Sequence, residues 1–426
     1  GDRTFRSGRR RGVSELAAQT FADYRDFINP PLARVMKLSG SPVEVRASGS
    51  TIWDQNGKAY LDFAGGYGVF TLGHSHPRVL AAVRDQMERM SLSSKTMFNP
   101  VLGHAARRLA EIAPGDLQIS FWCNSGTEAI EGAIKLARAA TGRAKIVSTI
   151  NAFHGKTMGA LSVSGRETFR DPFRPLLEGF EHIPYGRDDV LADALIDAAA
   201  FVVEPVQGEG GINVPPDGYL RAVRAACDAA GALFIADEVQ TGLGRCGYRF
   251  ACEREDVVPD VMTLAKGLSG GVIPVGAFIA TPSAWNRAFA KAPLLHTSTF
   301  GGNELACAAA IAAMDVLEED GLIENARVRG RQLLEGAEAI CDDFPEVVAA
   351  VRGLGLMAGV ELRHEGYGGW IIPEMLKAGV TAAWTLNLQR VIRLEPPLIV
   401  TEAEVSQALA ALRAGVATAY EKLGQL

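Results

Sequence analysis

The sequence predicts an α/β protein: a large, mainly parallel sheet covered by helices on both faces, and a smaller α+β domain built from the two chain ends. Two observations predict it. From about Leu117 to Phe300, short apolar runs alternate with stretches of helical periodicity, the pattern of strands joined by crossover helices. Outside that stretch the pattern changes. The first 50 residues mix a helical repeat with a Pro30-Pro31 break, and an Ala-rich helix over residues 304–317 leads into a second α+β region.

In chain order, residues 13–27 carry apolar side chains at helical spacing. Thr51-Ile52-Trp53-Asp54 and Ala59-Tyr60-Leu61-Asp62-Phe63 flank Gln55-Asn56-Gly57-Lys58, and Asn-Gly between alternating apolar residues signals a hairpin. Residues 77–90 read as an amphipathic helix with Pro77 in its first turn, where a missing N–H costs nothing. Strand-like runs follow at 117–122, 145–148, 199–203, 232–236, 261–264 and 275–279, with helices at 127–140 and 218–230. This predicts a first part of the small domain in residues 1–85, the sheet domain in 86–310 and the rest of the small domain in 311–426.

A chain of 426 residues can bury a large core, and 48% apolar with 22% charged residues is ordinary for a globular protein. The net charge of −6 argues against nucleic acid or an anionic membrane as the main partner. Arg3, Arg6, Arg9, Arg10 and Arg11 are the local exception, read as a solvated segment, with a basic arm as the other reading. No apolar run follows them as a secretory signal requires, and none approaches a membrane span, so a cytoplasmic protein without membrane partners is expected. Six cysteines without CxxC spacing read as reduced thiols, neither disulfide frame nor zinc site. Gly73-His74-Ser75-His76-Pro77 reads as a turn before a helix, so no metal is expected.

The chemistry lies where the apolar runs end. Leu233-Phe234-Ile235-Ala236 closes on Asp237, and Val261-Met262-Thr263-Leu264-Ala265 closes on Lys266. Open parallel sheets bind ligands at the carboxyl ends of their strands. An amine and a carboxylate presented there suit pyridoxal 5'-phosphate (PLP): the lysine forms a Schiff base with its aldehyde, and the aspartate pairs with its ring nitrogen. An aspartate ending a buried strand costs several kcal/mol unless paired, and a pyridinium ~3–4 Å away returns about 4–5 kcal/mol at an effective dielectric near 20. Capping the next turn is the other use of such an aspartate.

Ser125-Gly126-Thr127 stands between a strand and a helix, where backbone N–H groups and the helix dipole favour a phosphate. An ordinary N-cap uses the same residues. In Phe153-His154-Gly155-Lys156, the Phe153 ring can stack on a pyridine, and Gly155 lets backbone approach a ligand. Two carboxylates in the Gly-rich loop Glu204-Pro205-Val206-Gln207-Gly208-Glu209 place Glu204 beside the cofactor and Glu209 in the substrate mouth. Beside a cofactor held by Asp237, Val239 would cover the second ring face and Gln240 would bond the ring oxygen. The hydroxyl-rich run His296-Thr297-Ser298-Thr299 offers a further phosphate ligand. Arg393, on a run ending at Pro396-Pro397, has the fork that grips a substrate carboxylate. No GxGxxG follows the first strand, which removes a nucleotide-dependent dehydrogenase.

Together these motifs resemble the class III aminotransferases, the ω-aminotransferase branch of fold-type I PLP enzymes, from about Pro42 onward. Within that branch the chain looks most like putrescine (diamine) aminotransferases, through Phe121 to Glu128, His296 to Asn303 and Ile392 to Pro397. The resemblance implies a seven-stranded sheet with Lys266 and Asp237 as catalytic residues. It further implies Ser125, Gly126 and Thr127 on the phosphate, with Phe153, His154, Glu204, Val239 and Gln240 around the cofactor. Thr299 would reach the phosphate of a neighbouring subunit, so a homodimer would share its sites. Glu209 and Arg393 would form a gate, closed for amines and opened for carboxylates. Relatives acting on 4-aminobutyrate or ornithine carry arginine after the Phe/Tyr-His-Gly motif. Lys156 stands there, which favours a diamine or simple ω-amine donor. The implied reaction is ping-pong transfer from that amine to an α-keto acid, releasing an aldehyde. Amination of a bulky aldehyde, aminomutation, or PLP binding without catalysis are the alternatives.

Overall fold

A computed structural model describes residues 13–425; the arginine-rich run from Arg3 to Arg11 lies outside the described residues. The large sheet has seven strands: β1 (Ile119–Cys123), β2 (Lys145–Thr149), β3 (Phe180–Ile183), β4 (Ala198–Val203), β5 (Leu233–Asp237), β6 (Val261–Leu264) and β7 (Gly276–Ala280). Their order is β1-β7-β6-β5-β4-β2-β3. β2 to β6 pair in parallel, whereas β7 runs antiparallel to both neighbours, β1 and β6. The link from β6 to β7 is too short for the crossover that a parallel return needs, so the chain doubles back.

β4 and β5 are buried along their whole length, which is why they read as unbroken apolar runs. Within β4 the two-residue repeat separates the faces. Phe201 and Val203 join the core shared with the chain ends, and Ala200 and Val202 join the core under the helix Gly126–Thr141. One strand of this sheet escaped the sequence reading. β3 pairs only with β2, and its Phe180-Glu181-His182-Ile183 is partly exposed, so an edge position suppressed the apolar signal.

The chain ends meet in the smaller part. Val380–Thr381 pairs in parallel with Ala59–Asp62, opposite Leu61 and Asp62, extending the predicted hairpin. A second antiparallel sheet contains Val348–Leu354, Met357–Leu362, Ala383–Trp384 and the fully buried strand Val391–Leu394. The first helix departs from prediction: it is α-helical over Val13–Asp23 and widens to a π-helix over Tyr24–Ile28.

Candidate active site

The carboxyl edge of the large sheet gathers the predicted groups. Ser125 follows β1, Phe153 follows β2, Glu204 follows β4, Asp237 ends β5 and Lys266 follows β6. They surround a cavity of about 530 Å³, in the range of small-molecule sites. Gly126, Thr127, His154, Val239 and Gln240 also line it.

Asp237 is held from two sides and 4% exposed. Its Oδ2 bonds Nδ1 of His154 at 2.6 Å; its Oδ1 accepts from Thr263 Oγ1 and from Val239 N, both at 3.1 Å. Burial works against charge on His154, but the hydrogen bond and charge of Asp237, helped by Glu204, outweigh it and raise its pKa. The His154 Nε2 atom is buried without a partner. Glu204 accepts from Phe153 N at 3.0 Å and Gly208 N at 3.1 Å, and burial lifts its pKa to about 7.

Lys266 has φ of 45°, a left-handed conformation that side chains beyond glycine rarely take and that often marks a functional site. No hydrogen bond or ion pair among the described residues engages its amine. Burial pulls its pKa down, against the charges of Glu209 and Glu395. An uncharged amine is the form that attacks an aldehyde.

At the other end, Ser125 caps the helix Gly126–Thr141 by accepting from Glu128 N at 3.3 Å. The N-cap reading therefore holds, and the helix N-terminus still opens into the cavity. Glycine is required around it. A Cβ on Gly155, whose φ is 132°, would lie 2.3 Å from Thr127 Oγ1, and one on Gly276 would lie 2.3 Å from Ser125 O.

Glu209 and Arg393 lie behind Lys266, outside the cavity lining. Arg393 Nη1 donates to Glu209 Oε1 at 2.5 Å, and Glu209 Oε2 accepts from Leu386 N at 2.7 Å. Burial alone would raise the Glu209 pKa, but the charges of Arg393 and Lys266 outweigh it and lower the pKa from its ordinary value. Lys156 is exposed, with its ammonium 4.3 Å over the Phe169 ring. Thr299 is exposed and away from the cavity of its own chain. Gln240 uses its Nε2 on Tyr67 O at 3.2 Å and Glu395 Oε2 at 3.3 Å. The sequence reading missed Glu395 and Tyr67 as neighbours of this wall. Two positions from Arg393 on an extended run, Glu395 shares its face, and that spacing was the available signal.

The sequence pattern of the class-III aminotransferases matches residues 39–416. The chain belongs to that family. A curated relative, putrescine aminotransferase of Pectobacterium atrosepticum, is 42% identical over 413 residues, covering 93% of this chain and 88% of the relative. Among solved structures, the ornithine aminotransferase of Toxoplasma gondii ME49 superposes with a TM-score of 0.88 at 32% identity, covering 97% of this chain and 96% of that one. A PLP-bound amine transaminase from an uncultivated Pseudomonas species gives 0.81 at 30% identity, covering 88% and 95%. This class III aminotransferase is PLP-dependent. The cavity fits the cofactor: an unengaged amine for its aldehyde, a buried carboxylate for its ring nitrogen, and a glycine-lined helix N-terminus for its phosphate.

Proposed function

We propose that this aminotransferase takes the terminal amino group of a diamine or simple ω-amine, releases an aldehyde and passes the group to an α-keto acid. One observation carries the donor class: Arg393, the arginine that the sequence singled out for a substrate carboxylate, is already closed on Glu209, and Lys156, which lines the cavity, has its ammonium over the Phe169 ring. An amine enters without displacing that pair, whereas a carboxylate must open it. The 42% identical putrescine aminotransferase supports the same donor class.

Lys266 would hold the cofactor, and its Nζ moves the proton on the carbon that bears the amino group. Asp237 would keep the ring nitrogen protonated, and His154 Nδ1 fixes the carboxylate that does so. Bound PLP supplies an electron sink for the charge left on that carbon. Ser125, Gly126 and Thr127 would hold the phosphate; Phe153 and Val239 would flank the ring, with Glu204 beside Phe153 and Gln240 toward the ring oxygen. Arg393 would grip the keto acid through its fork once Glu209 moves aside.

We further propose a homodimer in which Thr299 reaches the phosphate of a second subunit. Its exposure, beside Phe300 (59% exposed) and Leu295 (54%), supports this, as does the bare Phe98 in the segment ahead of the helix Pro100–Ile112.

Half-reactions with 1,4-diaminobutane, 4-aminobutyrate and a long aliphatic amine, followed by the cofactor's absorbance, test the donor. The diamine or aliphatic amine should exceed 4-aminobutyrate in kcat/KM by about tenfold or more. Preference for 4-aminobutyrate overturns the reading, and no absorbance change with any amine indicates binding without catalysis.

A further inference from the structure

The helix that follows the Thr299 loop opens on a buried acid that does not cap it. Asn303 caps the helix Glu304–Glu319, accepting from Ala306 N at 2.9 Å. Glu304 is 1% exposed. Its Oε2 accepts from Ser93 N at 2.8 Å, and its Oε1 is buried without a partner. Leaving a buried oxygen unpaired is unfavourable, and such exceptions gather where a fold serves function. The bond that Glu304 does make reaches back 211 positions along the chain.

That bond anchors an exposed segment ahead of the helix Pro100–Ile112. Within the segment, Lys95 has φ of 63°, a left-handed backbone uncommon outside glycine, and its N donates to Ser93 Oγ at 3.1 Å. Lys95 Nζ then donates to Gly301 O at 2.9 Å. Two hydrogen bonds thus join the segment to the turn that bears Thr299. The turn is closed by Gly301 N on Ser298 Oγ at 2.9 Å and by Asn303 N on Phe300 O at 3.1 Å. It also lies hard against the sheet, since a Cβ on Gly301 would fall 2.2 Å from Trp122 O. Both joined pieces turn apolar side chains outward: Met97 and Phe98 on one, Phe300 on the other.

We infer that Lys95 and Glu304 are positioning residues that hold Thr299 ready for the cofactor phosphate of a second subunit. Glu304 fixes the segment at Ser93, and Lys95 passes that restraint to the turn at Gly301. A donor contributes most when its place is set before the ligand arrives, by neighbours that leave it nothing to rearrange. Met97 and Phe98 belong to the same piece as that donor. The fit of the apolar surface against the second copy therefore sets how tightly that copy keeps its cofactor. The inference rests on the proposed homodimer and its Thr299 contact.

The test is the rate of PLP release from the loaded enzyme, read as protein-bound absorbance remaining after gel filtration, with the mass of the dimer measured alongside. Lys95→Met and Glu304→Ala should each speed release about fourfold, the scale of one weakened hydrogen bond, with the dimer intact. Glu304→Gln, which keeps an oxygen for Ser93 N, should stay near the unmodified rate. In a Thr299→Ala background neither Lys95→Met nor Glu304→Ala should add to the faster release, because both act through that hydroxyl. Effects that multiply with Thr299→Ala, or a dimer that dissociates, mark general structural support and overturn the inference. Unchanged release in Lys95→Met, while Thr299→Ala speeds it, overturns the inference and leaves the proposed dimer standing. Unchanged release in Thr299→Ala removes the dimer contact itself, and the inference with it. If Glu304→Ala does not fold, the exposed Lys95→Met decides alone.

Discussion

The floor of the cavity and the wall behind Lys266 hold their charges differently. On the floor, Asp237 bonds a histidine, a threonine and a backbone N–H, and no partner among the described residues engages the Lys266 amine, so both groups remain available to a ligand. In the wall, Glu209 and Arg393 are closed on each other. The floor comes from neighbouring strands of one sheet; the wall joins the loop after β4 to a strand of the C-terminal half. Fixed open charge suits a cofactor that stays, and self-paired charge suits substrates that alternate.

Removing the floor's amine breaks the comparison most directly. Lys266→Ala should lower turnover by about three orders of magnitude and abolish borohydride-trapped cofactor on the protein by mass; trapping at full yield would move the anchor elsewhere. Asp237→Asn should cost about a thousandfold in kcat, because a pair about 4 Å apart at an effective dielectric near 20 is worth about 4 kcal/mol. Steady-state rates at saturating amine check this, and a loss confined to cofactor affinity would count against the role.

Arg393→Ala sharpens the contrast from the wall. The KM for the α-keto acid should rise roughly thirtyfold, as expected for losing a bidentate pair, with a smaller change for the amine. Equal losses in both would make the pair structural. A subtler effect comes from Glu204. Its pKa is raised by burial to about 7, so the stability tied to its proton is full below the unfolded carboxyl value and is lost as pH rises through about 7. In the cofactor-free protein, Glu204→Gln should therefore raise Tm more at pH 8 than at pH 5, and a pH-independent difference would refute this. Smallest of all, Thr299→Ala should speed cofactor release about fivefold, the worth of one hydrogen bond, with dimer mass unchanged.

The floor was largely legible in the sequence, because β4, β5 and β6 are buried throughout and mostly apolar, and stop at Glu204, Asp237 and just before Lys266. Local order put the chemistry at strand ends, where period and composition reveal it. β3 was not legible, since an edge strand buries too little to impose a pattern. Nor was the left-handed backbone at Lys266, which no residue type announces. His154 stood in a quoted motif, but its grip on Asp237 spans separate strands and needs coordinates. Glu395 was within reach through its spacing from Arg393.

The parallel seam between Val380–Thr381 and Ala59–Asp62 gives the chain an unusual dependence on its own far end. A chain stopped before Gly379 would leave the hairpin's outer strand with bare N–H and C=O groups, a template for stray strands. Ribosomal synthesis delivers that closing segment late, so the nascent hairpin must wait for most of the protein before its edge is sealed.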